Sequence, residues 1–233
     1  RNVLLSVLPI HHAYCLSMDI LKGLSLGAII CINDSLMRVA KNIKLFKPNM
    51  ILMVPLMIET FAKKLEDVKD LPEKVVKEAV FGSQFHTICS GGAYLNPEYI
   101  ELFERFGIQI LQGYGMTECG PLISYTHYTE FIPTSAGRIL DGYMQVRIDS
   151  EDPYNIPGEI CVKGENVMKG YYKNQEATDA VLDNDEWLHT GDMGTINKDN
   201  TIFIKGRCKT MILGPNGQNI YPEEIEDHLN NML

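Results

Sequence analysis

Four short strand-like runs, each followed by an amphipathic stretch, constrain this chain more than any other feature. They are Ala28–Ile32, Met50–Val54, His86–Cys89 and Ile108–Leu111. After the first, Leu36, Val39, Ile43 and Phe46 recur at helical spacing, so one stripe of that segment is built for burial. After the second, Pro55 suits the first turn of a helix that carries Ile58, Phe61, Leu65 and Val68 on one face. Asn96-Pro97 is a capping residue followed by a first-turn proline. Tyr99, Phe103 and Phe106 then share a face, and Gly107 closes the helix. This alternation predicts an α/β fold over residues 1–130, with a mostly parallel sheet and flanking helices. The apolar stretches Leu24–Ile32 and Met50–Leu56 fall short of the roughly 18 residues that a membrane span needs, and they read as buried strands.

The character changes near Phe131. Short strands follow at Gln145–Ile148, Glu159–Lys163, Met193–Ile196 and Thr201–Lys205, with Asp199-Asn200 as a hairpin turn. Residues 131–206 therefore read as a small β-rich subdomain. Residues 207–233 form a third piece, the start of an α+β subdomain. It holds a Gly/Pro/Asn loop at Gly214–Asn219 and a helix opened by Pro222-Glu223-Glu224.

Charge and cysteine usage exclude several classes. The net charge of −9 leaves no basic footprint for nucleic acid. Cys15, Cys31, Cys89, Cys119, Cys161 and Cys208 lie too far apart in sequence for a C-x₂₋₄-C pair, and Cys31 and Cys161 sit in apolar runs that suit a core. No His-Glu-x-x-His pattern occurs, so no zinc site is expected. The set reads as reduced and cytoplasmic. The chain opens at Arg1 with no initiating Met or signal peptide and stops inside a helix-like segment, so a fragment of a longer protein is expected.

Chemistry concentrates in a few stretches. Gly113-Tyr114-Gly115-Met116-Thr117-Glu118 follows a strand. Its glycines admit close backbone approach, its tyrosine offers a stacking face, its hydroxyl donates to an anion and its carboxylate suits Mg²⁺. Ser90-Gly91-Gly92-Ala93 links a strand to a helix and lets a planar base lie on backbone. In Trp187-Leu188-His189-Thr190-Gly191-Asp192 a carboxylate follows a tight turn, where it can accept from both hydroxyls of a ribose. In Gly206-Arg207-Cys208-Lys209, Arg207 suits phosphate or ribose oxygens. Taken singly, each is equally a turn, a strand-to-helix loop or a solvated strand end. Gly158–Gly164, with Gly170-Tyr171-Tyr172 after it, reads as structural.

In this order, the motifs resemble the adenylate-forming (AMP-binding) superfamily of acyl- and aryl-CoA ligases, luciferases and peptide-synthetase adenylation domains. The chain looks most like an ATP-dependent long-chain acyl-CoA synthetase, and the resemblance runs from Leu8-Pro9-Ile10-His11-His12 to Glu226. It implies that Tyr114 stacks on adenine with Gly91, Gly92 and Ala93 along the base. Gly113, Gly115 and Met116 complete that wall. Thr117 binds the α-phosphate, Glu118 holds Mg²⁺, Asp192 takes the ribose hydroxyls, and Arg207 contacts ribose and phosphate. His12 falls at the acyl pocket, Lys209 at an interdomain hinge and Gly217 on the coenzyme A path. The implied activity uses ATP, Mg²⁺ and coenzyme A to convert a carboxylic acid, fatty in type, to its adenylate and then its thioester. The alternatives are loading of a carrier-protein thiol and a non-catalytic nucleotide-binding module. The family's upstream phosphate loop and its C-terminal catalytic lysine do not occur in these 233 residues, which implies an inactive fragment. Thr210 stands where many relatives carry an acid.

Overall fold

The computed structural model describes residues 2–68, 70–127, 132, 134–213, 219–222, 225–226 and 229. Two compact units divide the chain, Arg1–Pro121 and Leu122–Leu233.

The first unit begins with β1 (Val3–Ser6) and a π-helical stretch, Cys15–Leu21, that runs into α1 (Lys22–Ser25). Then come β2 (Ile29–Ile32), a 3₁₀ turn at Leu36–Arg38, α2 (Val39–Phe46), β3 (Met50–Met53) and α3 (Pro55–Glu66). The unit continues through α4 (Glu73–Val80), β4 (Thr87–Gly91), α5 (Pro97–Arg105), β5 (Gln109–Gly115) and a 3₁₀ turn at Thr117–Cys119. The strands lie in the order β2-β1-β3-β4-β5, and each neighbouring pair is parallel. The expected α/β class is the observed one. Pro55 opens α3, and Asn96 caps α5 by accepting the Glu98 N–H at 2.9 Å.

The stripes read from the sequence are buried in part: Val39 and Ile43 are covered, but Leu36 is 65% exposed and Phe46 37% exposed at the ends of theirs. Ile58, Phe61 and Leu65 of α3 and Phe103 of α5 face inward. There Phe81 stacks on Phe85 at 4.9 Å between ring centroids and meets Phe61 at 5.3 Å and Phe103 at 5.9 Å. Asn49 fastens the amino edge of the sheet. Its Oδ1 accepts the Val3 N–H at 2.8 Å, its Nδ2 donates to Gln84 O at 3.3 Å, and its carbonyl accepts the His86 N–H at 3.0 Å.

Two expectations fail, wholly or in part. Of Met50–Leu56 only Met50–Met53 is strand, and Leu56 lies in α3 and is 72% exposed. Leu24–Ile32 is not a buried strand. Leu24 lies in α1 and is 63% exposed, while Ile32 at the end of β2 is 66% exposed. Among the described strands β2 pairs with β1 alone and forms an edge, so no further strand covers its outer side, and its residues are exposed or half-buried. The helical turn before it is also wider than helical periodicity suggests, and it carries Asp19 into full burial.

The second unit holds an antiparallel pair, β6 (Leu122–Tyr125) and β7 (Arg138–Ile139). Next are β8 (Met144–Asp149), β9 (Gly158–Gly164), α6 (Gln175–Asp179), β10 (Leu188–Ile196) and β11 (Ile202–Arg207). These four strands form an antiparallel sheet in the order β11-β10-β9-β8. The turn at Asp199-Asn200 is closed by Asn197, whose Oδ1 accepts the N–H groups of Asp199 and Thr201, each at 2.9 Å. A two-stranded pair, β12 (Ile212–Leu213) and β13 (Asn219–Ile220), follows. Most of the helix expected from Pro222 lies outside the described residues.

Candidate functional site

In a parallel sheet all carboxyl ends share one edge, so loops far apart in sequence become neighbours there. Gly91, the last residue of β4, pairs in register with Gly113 of β5. Gly91-Gly92-Ala93 and Gly113–Glu118 therefore leave the sheet side by side. The loop after β1, which holds His12, emerges at the same edge two strands away. From β1 the chain first moves outward to β2 and then back across to β3. Such a reversal opens a crevice at the strand ends where α/β proteins bind ligands.

Close packing favours glycine at position 91. A Cβ there would lie 3.3 Å from both the Gly113 carbonyl oxygen and the Tyr14 ring. Gly92, by contrast, has φ +88° and open space beside it. Tyr114 is 9% exposed, so its ring is mostly covered. Met116 is extended, and the 3₁₀ turn after it presents an exposed Thr117 and a half-buried Glu118. Cys119 anchors that turn in the interior, where burial and then the Glu118 charge push its thiol up to about 12. His12 has a local task, since its Nδ1 accepts the Tyr14 N–H at 3.3 Å at the start of the helical segment.

In the second unit the Thr-Gly-Asp turn is a bulge. β10 pairs His189 with Cys161 and Met193 with Glu159 of β9. Thr190, Gly191 and Asp192 thus stand opposite Ile160 alone. Bulges of this kind re-aim a side chain. Thr190 Oγ1 donates to Ile160 O at 2.8 Å and accepts the Asp192 N–H at 3.1 Å. Gly191, with φ +73°, allows the reversal. Asp192 is 7% exposed and pairs in register with Arg207 of β11, whose Nε lies 3.0 Å from Asp192 Oδ1. With Arg207 largely exposed, such a pair adds about 0.2–1 kcal/mol to stability. Its importance lies in orientation. Lys209 is exposed in the turn that follows. Gly217 lies outside the described residues.

Sequence reasoning missed the support beneath this turn. Glu159 Oε1 accepts the Gly191 N–H at 3.0 Å, and Glu159 Oε2 meets His189 Nδ1 at 2.8 Å. The strand Gly158–Gly164 therefore does more than bound a subdomain. His189 Nδ1 also lies 3.5 Å from Cys161 Sγ. No short motif announces this cluster, because 28 residues separate Cys161 from His189. Only strand register joins them.

A second unannounced cluster lies in the first unit. Cys15 Sγ sits 3.3 Å from Ser6 Oγ and 3.8 Å from Asp19 Oδ2. Asp19 Oδ1 is buried with no hydrogen-bond partner among the described residues. Burial lifts the Asp19 carboxyl to about 6 and the Cys89 thiol to about 12. All six cysteines are free thiols. Among the described residues no helix is long and apolar enough to cross a membrane.

Comparison with known proteins fits these features. The sequence profile of the AMP-binding enzyme family matches residues 1–172. A 4-coumarate-CoA ligase of Narcissus pseudonarcissus is 33% identical, over 97% of this chain and 42% of its own length. A long-chain-fatty-acid–CoA ligase of Escherichia coli is 30% identical, over 97% of this chain and 40% of its own length. ATP-bound MatB from Rhodopseudomonas palustris superposes with a TM-score of 0.82 at 26% identity, over 100% of this chain and 45% of that one. The o-succinylbenzoate coenzyme A synthetase of Bacillus subtilis, solved with ATP and a magnesium ion, gives 0.79 at 28% identity, over 98% and 46%. The chain spans about two fifths of the length of the curated relatives it matches. With the family profile covering most of the chain and these relatives aligned along nearly all of it, the chain belongs to the AMP-binding enzyme family, whose matched members are adenylate-forming acid–CoA ligases.

Proposed function

We propose that this chain is the nucleotide-handling part of an ATP-dependent ligase that activates a carboxylic acid as its acyl-adenylate and passes the acyl group to coenzyme A. The observation that carries the reading is the shared carboxyl edge of β4 and β5. It sets a two-glycine loop beside a Gly-Tyr-Gly-Met-Thr-Glu turn. The bulge that presents Asp192 beside Arg207 supports the same reading.

Each residue has a task in that chemistry. Gly91, Gly92 and Ala93 give the adenine a flat backbone surface, and Tyr114 stacks on the base once one face of its ring is uncovered. Gly113, Gly115 and Met116 hold that wall in place. Thr117 donates its hydroxyl to an α-phosphate oxygen, where charge builds as the acid's carboxylate attacks phosphorus. Asp192 accepts from the ribose hydroxyls. The Arg207 guanidinium, held by Asp192, is poised for ribose and phosphate oxygens. Glu118 suits Mg²⁺, which takes one or two carboxylates together with phosphate oxygens. When bound, Mg²⁺ offsets the repulsion between two anionic reactants. Lys209 serves as the hinge for a domain movement between the two half-reactions. Gly217 lines the pantetheine path, and His12 borders the acid.

The acid is apolar, with long-chain fatty acids as the leading class and arylpropenoic acids as the competing one. Relatives with names of both kinds align along nearly the whole chain. The deciding experiment is ATP–pyrophosphate exchange by the full-length protein against a panel of fatty and aromatic acids. Exchange with fatty acids, followed by thioester formation with free coenzyme A, is expected. Exchange with no acid overturns the ligase reading, and acyl transfer only to a carrier protein replaces coenzyme A as acceptor.

A further inference from the structure

A row of side chains crosses the antiparallel sheet of the second unit. Register sets Arg147 of β8 beside Cys161 of β9, and Cys161 beside His189 of β10. Glu159 lies two residues before Cys161 and so projects to the same face. Its carboxylate, the Cys161 sulfur and a His189 ring nitrogen all lie within 4.8 Å of one another. Behind the imidazole, His189 Nε2 is 3.8 Å from Asp183 Oδ2. Asp183 is itself fixed, since its Oδ1 accepts the N–H groups of Asp185 at 2.9 Å and Trp187 at 2.8 Å.

We propose that Glu159, Cys161 and His189 form a binding site for a thiophilic divalent cation of the zinc class. A thiolate, an imidazole and a carboxylate make a three-ligand set that leaves a fourth position for water. With zinc bonds of about 2.0–2.3 Å, tetrahedral ligand atoms stand about 3.3–3.8 Å apart. The sulfur and Nδ1 are already 3.5 Å apart. The 2.8 Å between Nδ1 and Glu159 Oε2 has only to open slightly. A carboxylate on the far ring nitrogen is the usual companion of a metal-bound histidine, and Asp183 stands there. Arg147, whose guanidinium lies 4.8 Å over the Trp187 ring, flanks the sulfur from β8. Burial and then the Glu159 charge push the Cys161 thiol up to about 11, so ion binding has to displace its proton. His189 and Glu159 side chains are 31% and 27% exposed, so the ion has a way in.

The site reports on the turn above it. Glu159 Oε1 also accepts the Gly191 N–H, and Gly191 leads directly into Asp192. Ligation draws the carboxylate toward the ion and weakens that hydrogen bond. Zinc then acts as an inhibitor that loosens the Asp192 turn. This consequence rests on the proposed nucleotide role, whereas the metal site does not.

The test is titration of the chelator-treated full-length protein with Co²⁺ and then Zn²⁺. One Co²⁺ per chain is expected, with a thiolate-to-cobalt charge-transfer band and visible tetrahedral bands that Zn²⁺ abolishes. Cys161→Ala removes the charge-transfer band, and His189→Gln lowers Zn²⁺ affinity at least tenfold. Asp183→Asn lowers it by roughly tenfold. Absence of the band in the wild type overturns the site, as does its survival in Cys161→Ala. Should Cys161→Ala not fold, unchanged Zn²⁺ affinity in His189→Gln overturns it equally. Nucleotide affinity is measured with and without one equivalent of Zn²⁺. A loaded site with unchanged AMP binding removes the inhibitory coupling and leaves the metal site standing.

Discussion

Asp192 and Arg207 stand opposite each other on β10 and β11, and Arg207 Nε lies 3.0 Å from Asp192 Oδ1. The carboxylate is almost wholly buried while the guanidinium is open to solvent. The arginine therefore orients an acceptor that the bulge has already aimed. Removing the acceptor should affect ligand more than fold. In the full-length protein, Asp192→Ala is expected to weaken AMP by roughly tenfold to a hundredfold, the equivalent of one or two hydrogen bonds to a charged group. Isothermal titration checks this. Unchanged AMP affinity would remove Asp192 from the nucleotide site.

Asp19 gives a stability signature that depends on pH. Burial lifts its carboxyl to about 6, against about 3.9 in an unfolded chain. Between these values the native state holds more protons than the unfolded one, so stability falls as pH rises. The contribution is whole below about pH 4 and gone above about pH 6. Asp19→Asn is expected to flatten that slope and to exceed wild type at neutral pH by on the order of 2 kcal/mol. Urea midpoints collected across this range decide it, and a variant with the wild-type slope counts against the assignment.

Phe81 has no exposed surface and touches Phe61, Phe85 and Phe103. Truncation leaves a cavity that three ring neighbours cannot close without shifting the backbone. Phe81→Ala is expected to cost about 3–5 kcal/mol, and Phe81→Leu markedly less. Denaturant unfolding with an unchanged m-value would confirm a local packing loss.

Local chemistry made much of this architecture legible. Pro55, the Asn96-Pro97 pair and the stripe Ile58, Phe61, Leu65 each have one dominant physical use, and the structure employs them that way. The short runs at Met50 and Ile108 did the same for β3 and β5. Features set by distant partners were not legible. The π-helical turn at Cys15–Leu21 and the burial of Asp19 have no periodic signature. Whether an apolar run is covered depends on what lies beside it, which is why Leu24–Ile32 misled. The sequence shows the Thr-Gly-Asp turn, but its support from Glu159 and His189 exists only because β9 and β10 pair in one register.

Asn49 ties the starts of β1 and β4 together at the amino edge, while every loop assigned to chemistry in the first unit leaves from the opposite edge. The two rims of the sheet thus have different physical tasks, one holding the strands and the other carrying the loops. Residues beyond the paired Gly91 and Gly113 at the carboxyl edge can be exchanged with little effect on where the strands begin, because their starts are secured at the other rim. A scaffold organised in this way separates the cost of a loop substitution from the cost of losing strand register.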